Sequence, residues 1–259
     1  MTTNDAPDLH YLLEGPEDAP VLVLSNSLGT TLGMWDDQLP ALRERFRVLR
    51  YDIRDHGASP TPSGPYEIPD LGRDVVSLME FLGIERASFC GLSVGGMTGM
   101  WLASEAPERV ERLVLLCTSA LLGPKSLWDE RIETARTKGM DALVDSVLGR
   151  WLTEAFRSKN PDVVEKVAGM LRNADPEGYA GCCAAIRDMD LRNRLASIQA
   201  PTLVVSGAED PATPPEHGRF IADSIPGARF EVVEGASHLA NIERPEEITP
   251  LILDHLEAP

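Results

Sequence analysis

The stretch CGLSVGG, residues 90–96, places one serine among three glycines directly after a short apolar run. It contains the pattern Gly-x-Ser-x-Gly at Gly91, Ser93 and Gly95. The preceding residues ASFC are typical of a strand, and the residues from Val94 onward are typical of a helix. This arrangement predicts a tight strand-to-helix turn that exposes Ser93 as a nucleophile, with glycines where larger side chains would not fit. The alternative is a serine that only caps the helix.

Strand-like and helix-like segments alternate on both sides of this turn, with short connections between them. The predicted strands are residues 9–15, 21–26, 46–52, 87–90, 110–117, 202–207 and 229–235. The predicted helices of the same part of the chain are residues 67–83, 94–106, 215–225 and a last helix from Pro245. Such alternation predicts an α/β fold with a mostly parallel, doubly wound sheet that is covered by helices on both faces.

Residues 124–195 interrupt this alternation, because they contain no convincing strand. Their predicted helices are residues 126–139, 140–152, 160–174 and 176–189, two of which begin at prolines, as helices often do. We therefore predict an inserted helical cap at residues 124–195. The α/β core consists of residues 1–123 and 196–259, and core and cap together form one structural unit.

The charge of the chain restricts its partners. The 259 residues carry a formal net charge of −17, which repels a phosphate backbone and an anionic membrane, so we expect neither nucleic acid nor membrane as a partner. No apolar run reaches the roughly 18 residues that span a bilayer. The first residues, MTTNDAPDLH, lack the basic and apolar regions of a secretory signal.

The cysteines indicate a reducing compartment. Cys90, Cys117, Cys182 and Cys183 lack the spacing of zinc ligands, and the adjacent pair would not form an ordinary disulfide. We therefore predict reduced cysteines, a cytoplasmic protein and no metal site.

A serine hydroxyl is a weak nucleophile without a base. Of the five histidines, His238 follows the last predicted strand, and α/β sheets keep their chemistry in loops after the carboxyl ends of parallel strands. Asp210, rather than Glu209, is the predicted partner of this histidine, in the loop after the strand at 202–207. The alternatives are an inert surface histidine and an aspartate that only caps the turn before Pro211. The chain order serine, aspartate, histidine is that of α/β-hydrolases.

Two backbone N–H groups are candidates for an oxyanion hole. One belongs to Val94, directly after the serine. The other belongs to Leu28 in the loop NSLGTT, where Gly29 would let the backbone approach a substrate closely.

With these residues the chain resembles the α/β-hydrolase family over essentially its full length, and within it the 3-oxoadipate enol-lactonases of the β-ketoadipate pathway. The resembling stretches are LSNSLGTTLGMWD, FRVLRYDIRDHGAS, ERASFCGLSVGGM, GYAGCCAAIRDMDLR, APTLVVSGAEDPATPP and SHLANIERPE. The pieces NSLGT and CCAAIRDMDLR are more specific than the motifs that the whole superfamily shares. They point to the lactonases rather than to a general esterase. The resemblance implies the triad and the oxyanion amides described above, and neither a metal nor an organic cofactor.

The substrate that this resemblance implies is a five-membered enol lactone with an acetate arm, a small anion. Its carboxylate needs a cationic partner. Trp128 and Arg131 are spaced i, i+3 and share a face of the first cap helix, so Trp128 could pack on the ring while Arg131 pairs with the carboxylate. The alternatives are a packing tryptophan and a solvated arginine, and Arg187 and Arg192 are rival cations.

Two positions depart from the family pattern. Asp55 stands where the family has glycine in the sequence Arg-Gly-His-Gly, which we expect to alter a loop near the sheet edge. Val94 replaces a bulkier residue, which we expect to loosen the pocket wall. Both departures concern substrate fit.

Three alternatives remain at the level of sequence. A carboxylesterase and a cofactor-free haloperoxidase or perhydrolase would use the same triad. A non-catalytic ligand receptor on a hydrolase fold would not require all three residues.

Overall fold

A computed structural model describes residues 9–60, 62 and 64–258. Most of the N-terminal stretch considered above for a secretory signal, residues 1–8, lies outside the described residues. The described part forms one seven-stranded sheet in the order β1-β3-β2-β4-β5-β6-β7. The strands are β1 Tyr11–Glu14, β2 Val21–Ser25, β3 Arg47–Tyr51, β4 Ala87–Leu92, β5 Val110–Leu116, β6 Thr202–Gly207 and β7 Arg229–Val233.

All neighbouring strands pair in parallel except β1, which runs antiparallel to β3 at the edge. Every residue of β4 and β6 is buried. Parallel strands covered on both faces are expected to be nearly continuous apolar runs, as these two are. The α/β fold class predicted from the alternating pattern is therefore confirmed.

Four helices of the core follow the predicted positions. They are α2 Ile68–Phe81, α3 Val94–Glu105, α9 Pro215–Ser224 and α11 Pro245–Leu256. Two short helices of the core, α1 Leu39–Leu42 and α10 Ala240–Glu243, were not predicted. Helix α3 packs against β4, β5 and α2, whereas α11 packs against β5 and α1. No helix in the described part of the chain is both long and apolar enough to cross a membrane.

Five helices form the insertion between β5 and β6. They are α4 Lys125–Lys138, α5 Asp141–Trp151, α6 Glu154–Lys159, α7 Pro161–Arg172 and α8 Pro176–Asp188. The sequence pattern predicted four of them and missed α6. With six residues, this helix is too short to show a period, and its start is marked only by Thr153, whose side chain accepts from the N–H of Phe156. That core and cap form one structural unit stays a prediction.

Helix α8 meets the core where the chain departs from the family pattern. Asp55 has a φ of +71° and is buried. A Cβ on Gly178 would lie 1.8 Å from Asp55 Cβ, and one on Gly181 would lie 2.4 Å from the Tyr66 ring. The aspartate lies in the loop after β3, where we expected its effect, and it also lies against the cap, where Gly178 provides the space.

This contact predicts opposite effects for two glycine substitutions in neighbouring cap helices. Gly178→Ala should lower the free energy of unfolding by about 1–3 kcal/mol, because the new methyl group has no room beside Asp55. Gly169→Ala in α7 should raise it by up to about 1 kcal/mol, since nothing lies within 4 Å of the added Cβ. Chemical denaturation of both variants measures the difference. Equal effects would mean that the contact between α8 and Asp55 does not determine cap docking.

Candidate active site

Ser93 lies at the turn between β4 and α3 in an unusual backbone conformation, with φ 58° and ψ −117°. Its N–H donates to the Leu116 carbonyl at 3.0 Å, and the Gly95 N–H donates to the Asn26 carbonyl at 3.1 Å. Thr118 Oγ1 donates to the Ser93 carbonyl at 2.6 Å. The turn is therefore bound on both sides by neighbouring strands, and the conformation of Ser93 is imposed by its surroundings.

The glycines of the turn are required by close backbone contacts. A Cβ on Gly91 would lie 2.2 Å from the Gly95 carbonyl oxygen, and a Cβ on Gly95 would lie 2.2 Å from the Ser25 carbonyl oxygen. Backbone atoms cannot yield as a flexible side chain can. The steric reason assumed for the Gly-x-Ser-x-Gly pattern therefore holds in this structure.

His238 and Asp210 meet as an ordered pair in the interior. His238 Nδ1 lies 2.8 Å from Asp210 Oδ2, and both side chains are almost completely buried. With Nδ1–H donating to the carboxylate, Nε2 of the ring is left as the basic nitrogen. Thr213 Oγ1 also donates to Asp210 Oδ2, at 2.7 Å. Glu209, the neighbouring carboxylate, is exposed.

The carboxylate of Asp210 is held in its ionised form. Burial raises its pKa, but attraction to His238 and hydrogen bonds from His238 and Thr213 outweigh burial, so the pKa lies below the ordinary value. The N–H groups of Ala212 and Thr213 donate to Oδ1 at 2.7 and 3.0 Å. Asp210 can therefore stabilise a positive imidazole without taking its proton.

One cavity of about 190 Å³ brings the predicted residues together. Its walls include Ser93, His238, Leu28, Trp128 and Arg131. In this conformation, no hydrogen bond between described residues links Ser93 Oγ to His238. Such bonds often tighten only in the complex with substrate.

The loop after β2 leaves the N–H of Leu28 for a ligand. The N–H of Ser27 donates to Met34 Sδ, that of Gly29 to His56 Nε2, and that of Thr30 to the Ser27 carbonyl. The N–H of Leu28 has no such partner among the described residues. Buried N–H groups are almost always bonded, so Leu28 is available for an oxyanion.

The second predicted donor, Val94, is the first residue of α3, where the N–H has no partner within the helix. Its side chain is fully buried and is not among the residues that line the cavity. Any effect of Val94 on the pocket wall would therefore act from behind the lining residues, and the expectation that it loosens the wall stays a prediction.

His56 holds the loop that carries Leu28, a role that the sequence did not indicate. Its Nε2 accepts from the Gly29 N–H at 2.7 Å, and its Nδ1 lies 3.0 Å from the Arg54 carbonyl. Burial lowers the pKa of His56, which keeps the ring neutral and Nε2 free to accept. The sequence contained one signal for this role. His56 lies in the stretch RDHG, which follows β3 and therefore lies at the same edge of the sheet as the loop of Leu28.

The family model described as the alpha/beta hydrolase fold matches residues 20–245. The chain belongs to the α/β-hydrolase family. It is similar to 3-oxoadipate enol-lactonase 2 of Acinetobacter baylyi, with 42% identity over 246 residues, covering 95% of this chain and 91% of the relative. The crystal structure of the enol-lactonase from Burkholderia xenovorans has 47% identity and a TM-score of 0.94, with 96% of each chain covered. A relative from Pseudomonas savastanoi, provisionally named carbamate hydrolase RutD, is 30% identical over 255 residues, covering 93% of this chain and 95% of the relative.

In this α/β hydrolase the loop of His238 is bonded to the cap. Ser237 Oγ donates to the Arg150 carbonyl at 2.9 Å, and the Leu239 N–H donates to the Trp151 carbonyl at 2.9 Å. The buried carboxylate of Glu243 accepts from the Ser237 N–H and, at 2.8 Å, from both the N–H and the hydroxyl of Thr153. The end of α5 and the start of α6 therefore support the histidine through the residues on either side of it and through Glu243.

Arg131 reaches the cavity from α4 without a carboxylate partner among the described residues. Its guanidinium donates to the hydroxyl of Tyr179 and lies over the rings of Trp128 and Tyr179, 5.1 and 5.6 Å from their centroids. The indole Nε1 of Trp128 is buried and has no hydrogen-bond partner within the described residues. Both residues line the cavity, and Arg131 gives it a cation from the cap.

The rival arginines are already paired. Arg187 bonds to Asp129 at 2.7 Å and to Asp188 at 2.6 Å, and Arg192 bonds to Asp190 at 2.7 Å. Neither lines the cavity. A paired surface arginine has little to gain from a further carboxylate, so the structure favours Arg131 over both.

Two further histidines and the four cysteines lie outside this cavity. His10 bonds to Asp52, and His255 lies 3.1 Å from the Pro201 carbonyl. All four cysteines are buried and free. The described residues contain no cluster of three or more histidines, cysteines or acidic residues that could hold a metal ion.

The geometry predicts unequal effects for the two neighbouring carboxylates. Asp210→Asn should lower kcat by about 10⁴-fold, because an amide can hold the imidazole in the wrong tautomer. Glu209→Gln should change kcat by less than about twofold, since Glu209 is exposed. Steady-state hydrolysis of an activated aryl ester measures both. The reverse ranking would mean that Asp210 does not orient His238.

Proposed function

We propose that this α/β hydrolase opens the ring of 3-oxoadipate enol-lactone to give 3-oxoadipate, as a step in the breakdown of aromatic compounds through the β-ketoadipate pathway. The observation that carries the proposal is Arg131, a guanidinium that has no carboxylate partner in the part of the chain that the structure describes, at a cavity that also contains Ser93 and His238. The similarity to enol-lactonases over 95% of the chain supports it.

In the first half of the reaction Ser93 Oγ attacks the lactone carbonyl while its proton passes to Nε2 of His238. The negative charge on the carbonyl oxygen is stabilised by the N–H groups of Leu28 and Val94. Asp210 stabilises the imidazolium that forms. When the ring C–O bond breaks, the leaving enolate takes the proton from His238 and becomes a ketone. Because the ester was cyclic, this leaving group stays attached to the acyl-enzyme.

In the second half water attacks the acyl carbon and gives one proton to His238. The bond from the carbonyl carbon to Ser93 Oγ breaks, and the serine recovers its proton from the imidazolium. The product carries a new carboxylate in addition to that of the acetate arm. The N–H groups of the oxyanion hole stabilise this second tetrahedral intermediate in the same way as the first.

The acetate arm of the substrate pairs with Arg131 under the cap. A partly buried guanidinium such as that of Arg131 gains most from a carboxylate when no protein carboxylate already neutralises it. The adjacent Nε1–H of Trp128 is a second donor for the same arm, and the indole also packs on the ring. The net charge of −17 cannot attract the anion over long distances, so the local cation provides the specificity.

The partners and the location follow from the same features. We propose a small anionic lactone as the ligand and no nucleic acid or membrane partner, since the net charge of the chain is −17. The four free, buried cysteines support a cytoplasmic location.

A panel of substrates separates this proposal from its alternatives. Enol lactone generated from carboxymuconolactone by a decarboxylase should be hydrolysed faster than p-nitrophenyl acetate, acetate with peroxide, or a carbamate. Preference for the aryl ester, for perhydrolysis or for the carbamate would replace the lactonase with that activity. No turnover of any of them would favour a ligand receptor.

Removing the nucleophile provides a direct check. Ser93→Ala should keep its fold but lose at least about 10⁴-fold in kcat on enol lactone, as removal of a triad member does. The far-ultraviolet circular dichroism and thermal midpoint of the purified variant serve as folding controls. Most of the activity surviving in a folded Ser93→Ala protein would end the serine-hydrolase interpretation.

The role of Arg131 predicts a change in selectivity. Arg131→Met keeps much of the apolar stem and removes the charge. The value of kcat/KM for enol lactone should fall about 30-fold or more, corresponding to about 2 kcal/mol, the lower end for removing one partner of a buried charge pair. Hydrolysis of neutral p-nitrophenyl acetate should change little.

The matched control is Arg187→Met, which removes an arginine that is paired with Asp129 and Asp188 outside the cavity. It should leave both activities near the wild-type values. Equal losses on both substrates in Arg131→Met would show that Arg131 is only structural. No loss on either substrate would remove it from the binding site.

A further inference from the structure

The hydroxyl of Ser27 is a buried polar group to which no atom of residues 9–60, 62 and 64–258 is hydrogen-bonded. Ser27 is only 1% exposed, and its Oγ has no hydrogen-bond partner among the described residues. It lines the same cavity as Ser93 and His238. A buried hydroxyl without a partner is costly, so its retention at a cavity wall points to a ligand atom that completes its bonding.

The loop that carries Ser27 is held rigidly on the side away from the cavity. Asn26 donates from Nδ2 to the Tyr51 carbonyl at 2.8 Å and accepts at Oδ1 from Trp35 Nε1 at 2.9 Å. The Ser27 carbonyl accepts from both the N–H and the hydroxyl of Thr30, at 3.1 and 2.8 Å. The hydroxyl of Ser27 is therefore attached to a backbone that is already fixed before a substrate binds.

The neighbour of Ser27 determines which ligand atom lies close. The next residue is Leu28, whose N–H is free and which lines the same cavity. The hydroxyl and this N–H come from one short turn. We propose that the hydroxyl of Ser27 is a third donor of the oxyanion hole, in addition to the N–H groups of Leu28 and Val94.

The chemistry of this role requires no proton transfer. Ser27 Oγ–H donates a hydrogen bond to the carbonyl oxygen as that oxygen gains negative charge, and it keeps its proton throughout. Ser27 does not act as a nucleophile, because the His238–Asp210 pair serves Ser93 and none of the hydrogen bonds of Ser27 among the described residues is to a base. A fixed donor that meets the oxygen mainly in the charged state lowers the barrier without tightening the binding of substrate.

The Ser27 hydroxyl should stabilise the oxyanion of other esters as well as that of the enol lactone, because hydrolysis of every ester passes through an oxyanion of the same kind. The proposal rests on Ser93 and His238 as the catalytic pair, but not on the identity of the lactone. It is therefore tested on a neutral aryl ester as well as on enol lactone. A failure of the lactonase proposal would then leave the result for Ser27 intact.

The test compares Ser27→Ala, Ser27→Thr and Ser88→Ala with the wild type. Ser27→Ala removes the hydroxyl, whereas Ser27→Thr keeps one. Ser88 is a buried serine of β4 that does not line the cavity, and Ser88→Ala is the matched control. The readouts are kcat and KM on p-nitrophenyl acetate and on enol lactone, together with the inhibition constant of an alkyl trifluoromethyl ketone, which forms an oxyanion when Ser93 adds to it.

We expect Ser27→Ala to lower kcat by about 10²-fold on both substrates, with KM nearly unchanged, as loss of one oxyanion donor does. The inhibition constant of the ketone should rise by a similar factor. Ser27→Thr should recover most of the kcat, and Ser88→Ala should resemble the wild type. A thermal midpoint within a few degrees of the wild-type value shows that the fold is kept.

Two results would overturn the proposal. Unchanged kcat and unchanged ketone affinity in Ser27→Ala would mean that the hydroxyl does not meet the oxyanion. A rise in KM confined to enol lactone would place the hydroxyl on the acetate arm instead, as a group for substrate recognition.

Discussion

The conformation of Ser93 is the constraint on which the remaining site depends. Its φ of 58° costs an L-residue about 1–3 kcal/mol and persists only where neighbouring structure enforces it. Here the enforcement is backbone against backbone, since Gly95 lies against the Ser25 carbonyl and bonds to that of Asn26. One contact between α3 and the end of β2 therefore fixes the serine, the N–H of Val94 and the start of the Leu28 loop relative to one another.

The sheet and the cap each contribute part of the candidate site. Four loops at the carboxyl ends of β2, β4, β6 and β7 supply the oxyanion donors, the serine, the aspartate and the histidine. The cap adds the cation, and it also supports the histidine through Glu243 and Thr153. Under the proposed function, binding of the carboxylate and alignment of the base would be linked through one helical layer, which is a physical reason to expect an anionic substrate beneath it.

The sequence predicted those parts of the site that are defined by their position after a strand or by their distance from a turn. Ser93, Asp210 and His238 each follow a strand, and Leu28 and Val94 are defined by their distance along the chain from recognisable turns. The groups that it did not reveal are those defined by contacts across the fold. His56 acts on Gly29 from another loop, Glu243 on Thr153 from another layer, and the pairing that excludes Arg187 depends on Asp129. No local period encodes such contacts. The helices α1, α6 and α10 were missed for a different reason, since they are too short to show a helical period.

The measurement that tests the central claim most directly is covalent labelling with a fluorophosphonate, followed by tryptic digestion and fragment-ion mass spectrometry. The strand-to-helix turn at Ser93 and the buried His238–Asp210 pair predict one modified residue, Ser93, in the peptide that spans residues 87–109. Labelling should be stoichiometric and should abolish hydrolysis. A label on another serine, or an active protein that takes up no label, would contradict the assignment of Ser93 as the nucleophile.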